Sequence, residues 1–501
     1  MNKLLIKILI VTCFCITSLK SYSQEHKLQF SAPANKSTFL LPIPNKKIAV
    51  NARINITNKG EKIESNFSII NTWVNNNEYI RLLLIELKYS NKNKKNSTQN
   101  FVIDWVNTTH NPRLKTQSIV GSPYLVYPLN SWLTESILLQ PELNDIDKSW
   151  YTKPQSLYAN FITNESLLEA HNYPKSHQSQ WLFDRGRAVI QLFILTEDAQ
   201  WLVEGKKISQ FYINNLDDEG RFLLNENFDL KFLMPNGILY YYFLTGDSRI
   251  KDVLKKLFYL SLIWSPDYKS NYKFWTERHQ AAALNIAISY WEISGDIEAK
   301  RRIDEIINAT IKMVFYPKDG WELRGCPQHT FKSHEGKAGN SPVCSPWMMA
   351  LLADALWRYY ILTDNKQSAA LLNTFGDFIL NNGIHFANKR QNNKVLPIYL
   401  ASMGNKLLEI KNQWTDGHHS CDVAGLIGKS LYIKEQKSED TFLLKELFNA
   451  FVQQCKDINI EYKNKKHDYI PMLPPRRFGW TYSTTSDLPW LESWLNSRNT
   501  Q

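Results

Sequence analysis

The sequence predicts a mainly α protein: an (α/α) toroid, a ring of helical hairpins, preceded by a small N-terminal β-sandwich. Three observations carry this. Short alternating runs such as Ile48 to Ile56 and Tyr79 to Tyr89, broken by Asn, Lys and Gly clusters, occupy residues 24–118 and read as strands. From residue 178 to 495 the apolar positions fall at helical spacing. The helical part also repeats itself.

The repeat is a turn. Apolar helical patterns end in Leu195-Thr196-Glu197-Asp198, Leu244-Thr245-Gly246-Asp247, Ile293-Ser294-Gly295-Asp296 and Leu362-Thr363-Asp364-Asn365. Asp198, Asp247 and Asp296 follow one another at 49 residues, and Asn365 comes 69 after Asp296, so that unit carries an insertion of about 20 residues. Each turn is a helix stop followed by an N-cap for the next helix, which makes each unit a hairpin. The helices before the turns, such as Ala281 to Ile293 and Met348 to Ile361, are apolar nearly all round, as an inner layer wrapped by a second layer must be. This favours a closed ring over an open solenoid of the same units. Residues 119–177, with several prolines and aromatics, read as a connector.

Residues 1–23 read as a secretory signal peptide: Lys3 and Lys7, the apolar run Leu4 to Cys15, then Ser21-Tyr22-Ser23. The apolar part is too short for a membrane span, and no later stretch is long and apolar enough to be one. The mature chain is expected outside the cytoplasm: periplasmic, secreted or on the outer surface. Loss of Lys3, Lys7 and Lys20 lowers the net charge from +11 to +8. A moderate, dispersed positive charge with 13% aromatics suits an anionic glycan better than nucleic acid, because ring faces stack on sugars and cations meet carboxylates or sulfates. A phosphate-binding glycine loop, a nucleophilic-serine elbow and a paired-cysteine zinc module are all missing from the pattern. Of the mature cysteines, Cys326 and Cys344 flank one loop and can pair in an oxidising compartment.

The polar motifs recur at one point of each unit, around the first turn of the helix that precedes the repeated turn. They are Trp181 to Arg187, Asp229-Leu230-Lys231, Trp275 to His279, Ser341 to Trp347, and Trp414 to Asp422. Helices in register expose the same end on the same side, so these clusters are expected to converge on one mouth of the ring. Helix N-termini there favour a carboxylate or sulfate ligand. The insertion brings Trp321, Glu322, Arg324, His329, His334 and Glu335 toward the rim, and Pro474 to Tyr482 adds an aromatic and basic segment with Arg476.

The signal peptide, sandwich, aromatic connector and hairpins ending in TGD-like turns resemble the six-hairpin, (α/α)-toroid group of carbohydrate-active enzymes, which includes polysaccharide lyases and glycoside hydrolases. The resemblance covers residues 178–495, is architectural, and transfers no catalytic residue. It implies an enzyme that degrades a polysaccharide.

Two mechanisms fit the residues at the mouth. Elimination from a uronic-acid glycan needs a cation on the carboxylate, a base and an acid: Arg278, Arg185 or Arg476 for the first, His279 or His329 for the second, Tyr482 for the third. Hydrolysis needs two carboxyl groups, for which Glu277 and Asp416 are the leading pair and Asp184 and Glu322 the substitutes. Substrate contacts are expected from Asp184, Arg185, Trp275, Trp321, Arg324, His329, Trp414, His418 and Arg476. Elimination leads, hydrolysis follows, and a ring that only binds glycan is the third reading. Each cluster also has a structural reading: Asp184 with Arg185 and Glu277 with Arg278 as ion pairs pinning hairpins, His279 as a packed histidine, the tryptophans as staples at helix entries. No cofactor is expected; His418, His419, Cys421 and Asp422 are of metal-ligand type and with His329 or His334 could hold zinc or calcium, as a structural divalent ion before a catalytic one.

Overall fold

The computed structural model describes residues 26–88, 97–108, 111–119, 121–144, 146–164, 181–222, 228–266, 276–318, 321, 323–335, 341–386, 394–402, 417–461 and 474–498. The predicted signal peptide lies outside them.

The alternating N-terminal segment forms two four-stranded sheets. One has the order β1(His26–Pro33), β7(Thr98–Val106), β3(Arg53–Asn58), β4(Glu61–Lys62); the other β5(Ser65–Trp73), β6(Asn76–Leu87), β2(Thr38–Pro42), β8(Tyr124–Leu125). Between them Phe30, Phe39 and Phe101 meet at ring separations of 5.4–5.7 Å, with Leu41, Ile85 and Ile103 buried around them. β8 pairs in parallel with β2, so the sandwich draws in residues beyond 118, where the alternating pattern stops.

The longer helices are α1(Ser149–Asn164), α2(Arg185–Thr196), α3(Ala199–Asn214), α4(Pro235–Thr245), α5(Arg249–Ser261), α6(Glu277–Ser294), α7(Ile297–Phe315), α8(Pro346–Thr363), α9(Lys366–Asn382), α10(Ser420–Glu435), α11(Phe442–Glu461), α12(Pro474–Ser483) and α13(Leu488–Arg498). α2, α4, α6, α8 and α10 pack in sequence as the inner layer, and α12 packs back on α2, which closes the ring. The connector is more than a linker: α1 packs against α11 and α12 in the outer layer, so the sixth hairpin is assembled from both ends of the chain. Residues 235–244 of α4 are all buried, as an inner helix requires.

The repeated turns are built alike. The hydroxyls of Thr196, Thr245, Ser294 and Thr363 donate to the carbonyl four residues back at 2.5–2.7 Å. The next residue, Glu197, Gly246, Gly295 or Asp364, takes a left-handed conformation at φ 54–67°. Asp198, Asp247, Asp296 and Asn365 then accept the N–H that opens the outer helix.

The sandwich sits over this turn-bearing end. The Asn71 and Asn75 amides donate to the carbonyls of Ile293 and Leu362 at the ends of α6 and α8. Arg81 of β6, 1% exposed, enters the ring and pairs with Glu292 at 2.5 Å, its guanidinium against Trp73 and Phe243. Glu292 also takes a forked bond from Arg358 at 2.5 and 2.8 Å. Nearer the middle, Arg187 forks onto Asp354 and Lys429 pairs with Asp487 at 2.9 Å. These buried ions lie along the ring axis, and four of them line a small cavity with Gln191, Tyr240 and Trp357; the inner-helix N-termini gather at the other end, the mouth. Two disulfides brace it: Cys326–Cys344 ties the insertion to the start of α8, and Cys421–Cys455 ties α10 to α11.

Candidate active site

The mouth is built from first turns. Asp184 caps α2 through the Arg187 N–H at 2.9 Å, and its other oxygen accepts the Gly237 N–H of the neighbouring inner helix α4 at 2.8 Å. Burial raises its pKa to about 6 against these donors. Glu277 repeats the device two hairpins on: it is fully buried, Oε1 accepts the Ser345 N–H that starts α8 at 2.9 Å, and Oε2 lies 2.8 Å from His329 Nδ1. Asp422 of α10 accepts the Trp480 indole N–H of α12 at 2.8 Å. Each carboxyl therefore bridges one hairpin to the next.

Several expected roles are corrected by this placement. Glu277 and His329 are sealed inside, 0% and 1% exposed, and face each other rather than a substrate. Arg185, 1% exposed, stacks on the Trp181 ring at 3.7 Å. Both Asp184 oxygens are taken by backbone donors. Tyr482, the expected acid, is 2% exposed and packs among Tyr151, Tyr158 and Phe478 between α12 and α1. Trp181 and Trp347 are buried at helix entries, and Trp480 is buried within α12. Cys421 is bonded to Cys455 and is lost as a metal ligand; among the described residues no group of three metal-ligating side chains assembles. Trp275, Trp414 and Asp416 lie outside the described residues, as does Glu322.

The structure brings Asp229, Lys231, Arg278 and His279 together on the open side. His279 Nε2 lies 3.1 Å from Asp229 Oδ1, and its Nδ1 lies 2.8 Å from the Thr276 hydroxyl. Burial pushes the imidazole below its ordinary range, and Arg278 adds to this, while Asp229 pulls the other way. A neutral ring with Nε2–H toward Asp229 and Nδ1 accepting the Thr276 hydroxyl satisfies both contacts. With both nitrogens engaged, His279 positions Asp229 and is not placed as the base. Burial alone would lift the Asp229 carboxyl, but His279 and Lys231, the latter at 2.6 Å, hold it well below the usual range.

Arg278 stands apart from these pairs. It is half-buried, its guanidinium lies 5.9 Å over the Trp347 ring, and its Nε is buried without a hydrogen-bond partner among the described residues. No carboxylate lies within 4.0 Å of it among the described residues. Burial lowers its pKa, and both Arg278 and Arg476 press on Lys231, lowering the ammonium further after burial. Arg476 and His418 are half-buried on the same side, with Arg477 Nη2 3.4 Å from His418 Nδ1. Trp321 is half-buried and Arg324 exposed on the segment anchored by Cys326.

Beneath the cations lies an aromatic floor. His419 stacks on Trp347 at 5.0 Å and touches Trp480 at 4.6 Å, and Tyr399, half-buried, is 6.1 Å from it. Asp422 Oδ2 is 3.1 Å from His419 Nδ1, while Oδ1 is buried with no partner among the described residues. Burial lifts Asp422 to about 8, although the Trp480 bond and Lys429 oppose it. Asp422 and Asp229 were not singled out as carboxyls from sequence. A signal existed: Asp229 and His279 are 50 residues apart and Asp184 and Gly237 53, close to one repeat unit, the spacing at which neighbouring inner helices meet.

No family model matches the chain, and no curated protein matches it. Solved structures resemble it at low identity. An unsaturated glucuronyl hydrolase specific for heparin is 11% identical, with 70% of this chain and 99% of that chain covered, at TM-score 0.44. The GH76A alpha-1,6-mannanase of a Salegentibacter species is 13% identical over 62% and 89%, at 0.39. The cellobiose 2-epimerase of Bacillus thermoamylovorans is 11% identical over 64% and 87%, at 0.41.

Proposed function

We propose that this chain is an exported carbohydrate-active enzyme that takes an anionic, uronate-bearing glycan at the ring mouth and cleaves it by β-elimination. The observation that carries the reading is Arg278, a half-buried guanidinium with no ion-pair partner among the described residues, set beside Lys231 and Arg476. Crowded cations at the N-terminal ends of inner helices call for an anion. A carboxylate paired with Arg278 loses its charge, and the C–H beside it becomes acidic. We take Tyr399, half-buried and within electrostatic reach of Arg278, as the candidate base, acting as its phenolate to remove that proton. As it leaves, the C–O bond breaks and a double bond forms in the uronate. Two disulfides suit an oxidising compartment and support the export reading.

Hydrolysis is the second reading, favoured by two mouth carboxyls of opposite tendency: Asp229 held ionised and Asp422 held protonated. A panel of anionic and neutral glycans, followed by ultraviolet absorbance of an unsaturated uronate and by reducing ends, separates the two. Both signals rising on a uronate glycan, and lost in Arg278→Gln, is the result expected. Reducing ends without the absorbance favours hydrolysis; binding without either signal makes the ring a glycan receptor.

A further inference from the structure

Elimination needs a proton for the leaving oxygen as well as a base for the C–H. Among the mouth cations, Lys231 is the one that can part with a proton, because a guanidinium holds its own too tightly. Lys231 lies on the short turn Leu230–Phe232 ahead of α4, and 26% of its side chain is exposed, so that a ligand can reach it, whereas Glu277, His329 and Tyr482 are sealed. Its Nζ lies 2.6 Å from Asp229 Oδ2 and 5.5 Å from the Phe232 ring. An ammonium carries three N–H bonds. The pair with Asp229 occupies one, and among the described residues the other two meet no acceptor.

The partner of this lysine is held still. Asp229 Oδ1 accepts the backbone N–H of Lys231 at 3.0 Å and lies 3.1 Å from His279 Nε2, so the carboxylate is fixed with Oδ2 toward the ammonium. His279 is buried at the start of α6, and its Nδ1 lies 2.8 Å from the Thr276 hydroxyl. A pair between residues two apart forms from the turn alone. It does not account for a buried histidine brought from the next hairpin to lock the carboxylate, nor for an ammonium left open on its other side. Burial lowers the Lys231 pKa, Arg278 on α6 and Arg476 on α12 lower it further, and Asp229 opposes them. Such an ammonium gives up a proton more readily than an exposed one.

We propose that Lys231 is the general acid of the elimination: it donates an Nζ proton to the leaving glycosidic oxygen, and Asp229 and His279 are positioning residues that aim it. The inference rests on the uronate-elimination reading of the mouth. Its atoms and electrons balance. The Tyr399 phenolate removes the proton beside the carboxylate, the C–H pair becomes the new double bond, and the C–O pair stays on the leaving oxygen, which takes the Nζ proton. Tyr399 ends as a phenol and Lys231 as an amine; one proton passing from the first to the second through solvent restores both.

Three variants, each checked for folding by circular dichroism, separate an acid from a mere charge. Lys231→Arg keeps the cation without a proton to give, Lys231→Met removes both, and Asp229→Asn loosens the aim. Values of kcat and KM are measured on the uronate glycan that the wild type cleaves and on a uronate with fluoride in place of the leaving sugar, which departs without a proton. The expected result for both Lys231 variants is a loss in kcat of roughly 100-fold or more on the glycan, with KM of Lys231→Arg within about threefold of wild type. All three variants should recover on the fluoride substrate, with Asp229→Asn losing less on the glycan than Lys231→Met. Lys231→Arg at wild-type kcat, or equal losses on the two substrates, overturns the proposal and leaves the elimination reading standing. A wild type that releases reducing ends without ultraviolet absorbance, or that leaves every uronate glycan intact, brings down that reading and this inference with it.

Discussion

Asp184 Oδ2 accepts the backbone N–H of Gly237 at 2.8 Å, so one carboxylate caps the helix that follows it and the next inner helix of the ring. The approach leaves no room for a side chain: a Cβ on Gly237 would stand 2.5 Å from Asp184 Oδ1 and 2.8 Å from the Arg187 nitrogen. Gly237→Ala is expected to lower stability by about 1–3 kcal/mol through the strain of overpacking. Urea unfolding checks this, and an unchanged midpoint would refute the account.

The Arg81–Glu292–Arg358 triad joins sandwich to ring and is buried throughout. Glu292→Gln strands two guanidinium groups and should cost about 3–5 kcal/mol. Arg81→Met leaves Glu292 forked by Arg358 and should cost less. The order of the two thermal midpoints is the measurement; the reverse order would sink the argument.

The pH dependence of stability reports on Asp422. Its pKa rises on folding from 3.8 to about 8 through burial, so the stabilisation it contributes is complete below the unfolded value and is lost as pH climbs through the folded one. Asp422→Asn removes this dependence. Thermal midpoints taken from about pH 5 to 9 should therefore move in the variant's favour as pH rises; parallel curves would contradict it.

His279 is expected to be neutral at pH 7, because burial lowers its pKa below the ordinary 6.5. The sign is opposite to that of Asp422: its contribution is present above 6.5 and is lost as pH falls. Nitrogen-15 NMR of the imidazole should show one protonated nitrogen at neutral pH, with the proton on Nε2. A ring carrying two protons there would mean that Asp229 outweighs burial.

Cys421 and Cys455 close a loop of sequence separation 34. Cys455→Ser should lower stability by about 2–4 kcal/mol. Reductant should lower the wild type further than that variant under oxidising conditions, since it also opens Cys326–Cys344. Insensitivity of the wild type to reductant would show that the pairs are not formed.

Much of the architecture was legible because it is periodic. The turns at Asp198, Asp247, Asp296 and Asn365 announce themselves by spacing, and the all-round apolar character of α4 and α8 marks an inner layer. The loop between Cys326 and Cys344 allowed their pairing, and the structure forms it. The sixth hairpin was not, because its outer helix α1 and inner helix α12 lie at opposite ends of the chain and carry no shared turn.

The sequence by itself determined that the chain has a β-sandwich, repeated hairpins, and polar clusters at one end of each. It determined these because local periodicity and helix stops are properties of neighbouring residues. Which polar residues are buried between hairpins and which stay at the mouth was decided only by tertiary structure. Glu277, Arg185, His329 and Tyr482 have the right chemistry but are turned inward to hold neighbouring hairpins or fill the wall, while among the described residues Arg278 is left without an ion-pair partner and Asp422 is buried with an oxygen unsatisfied. That choice depends on the side chains brought beside each residue from a repeat unit or more away, and on the water they exclude.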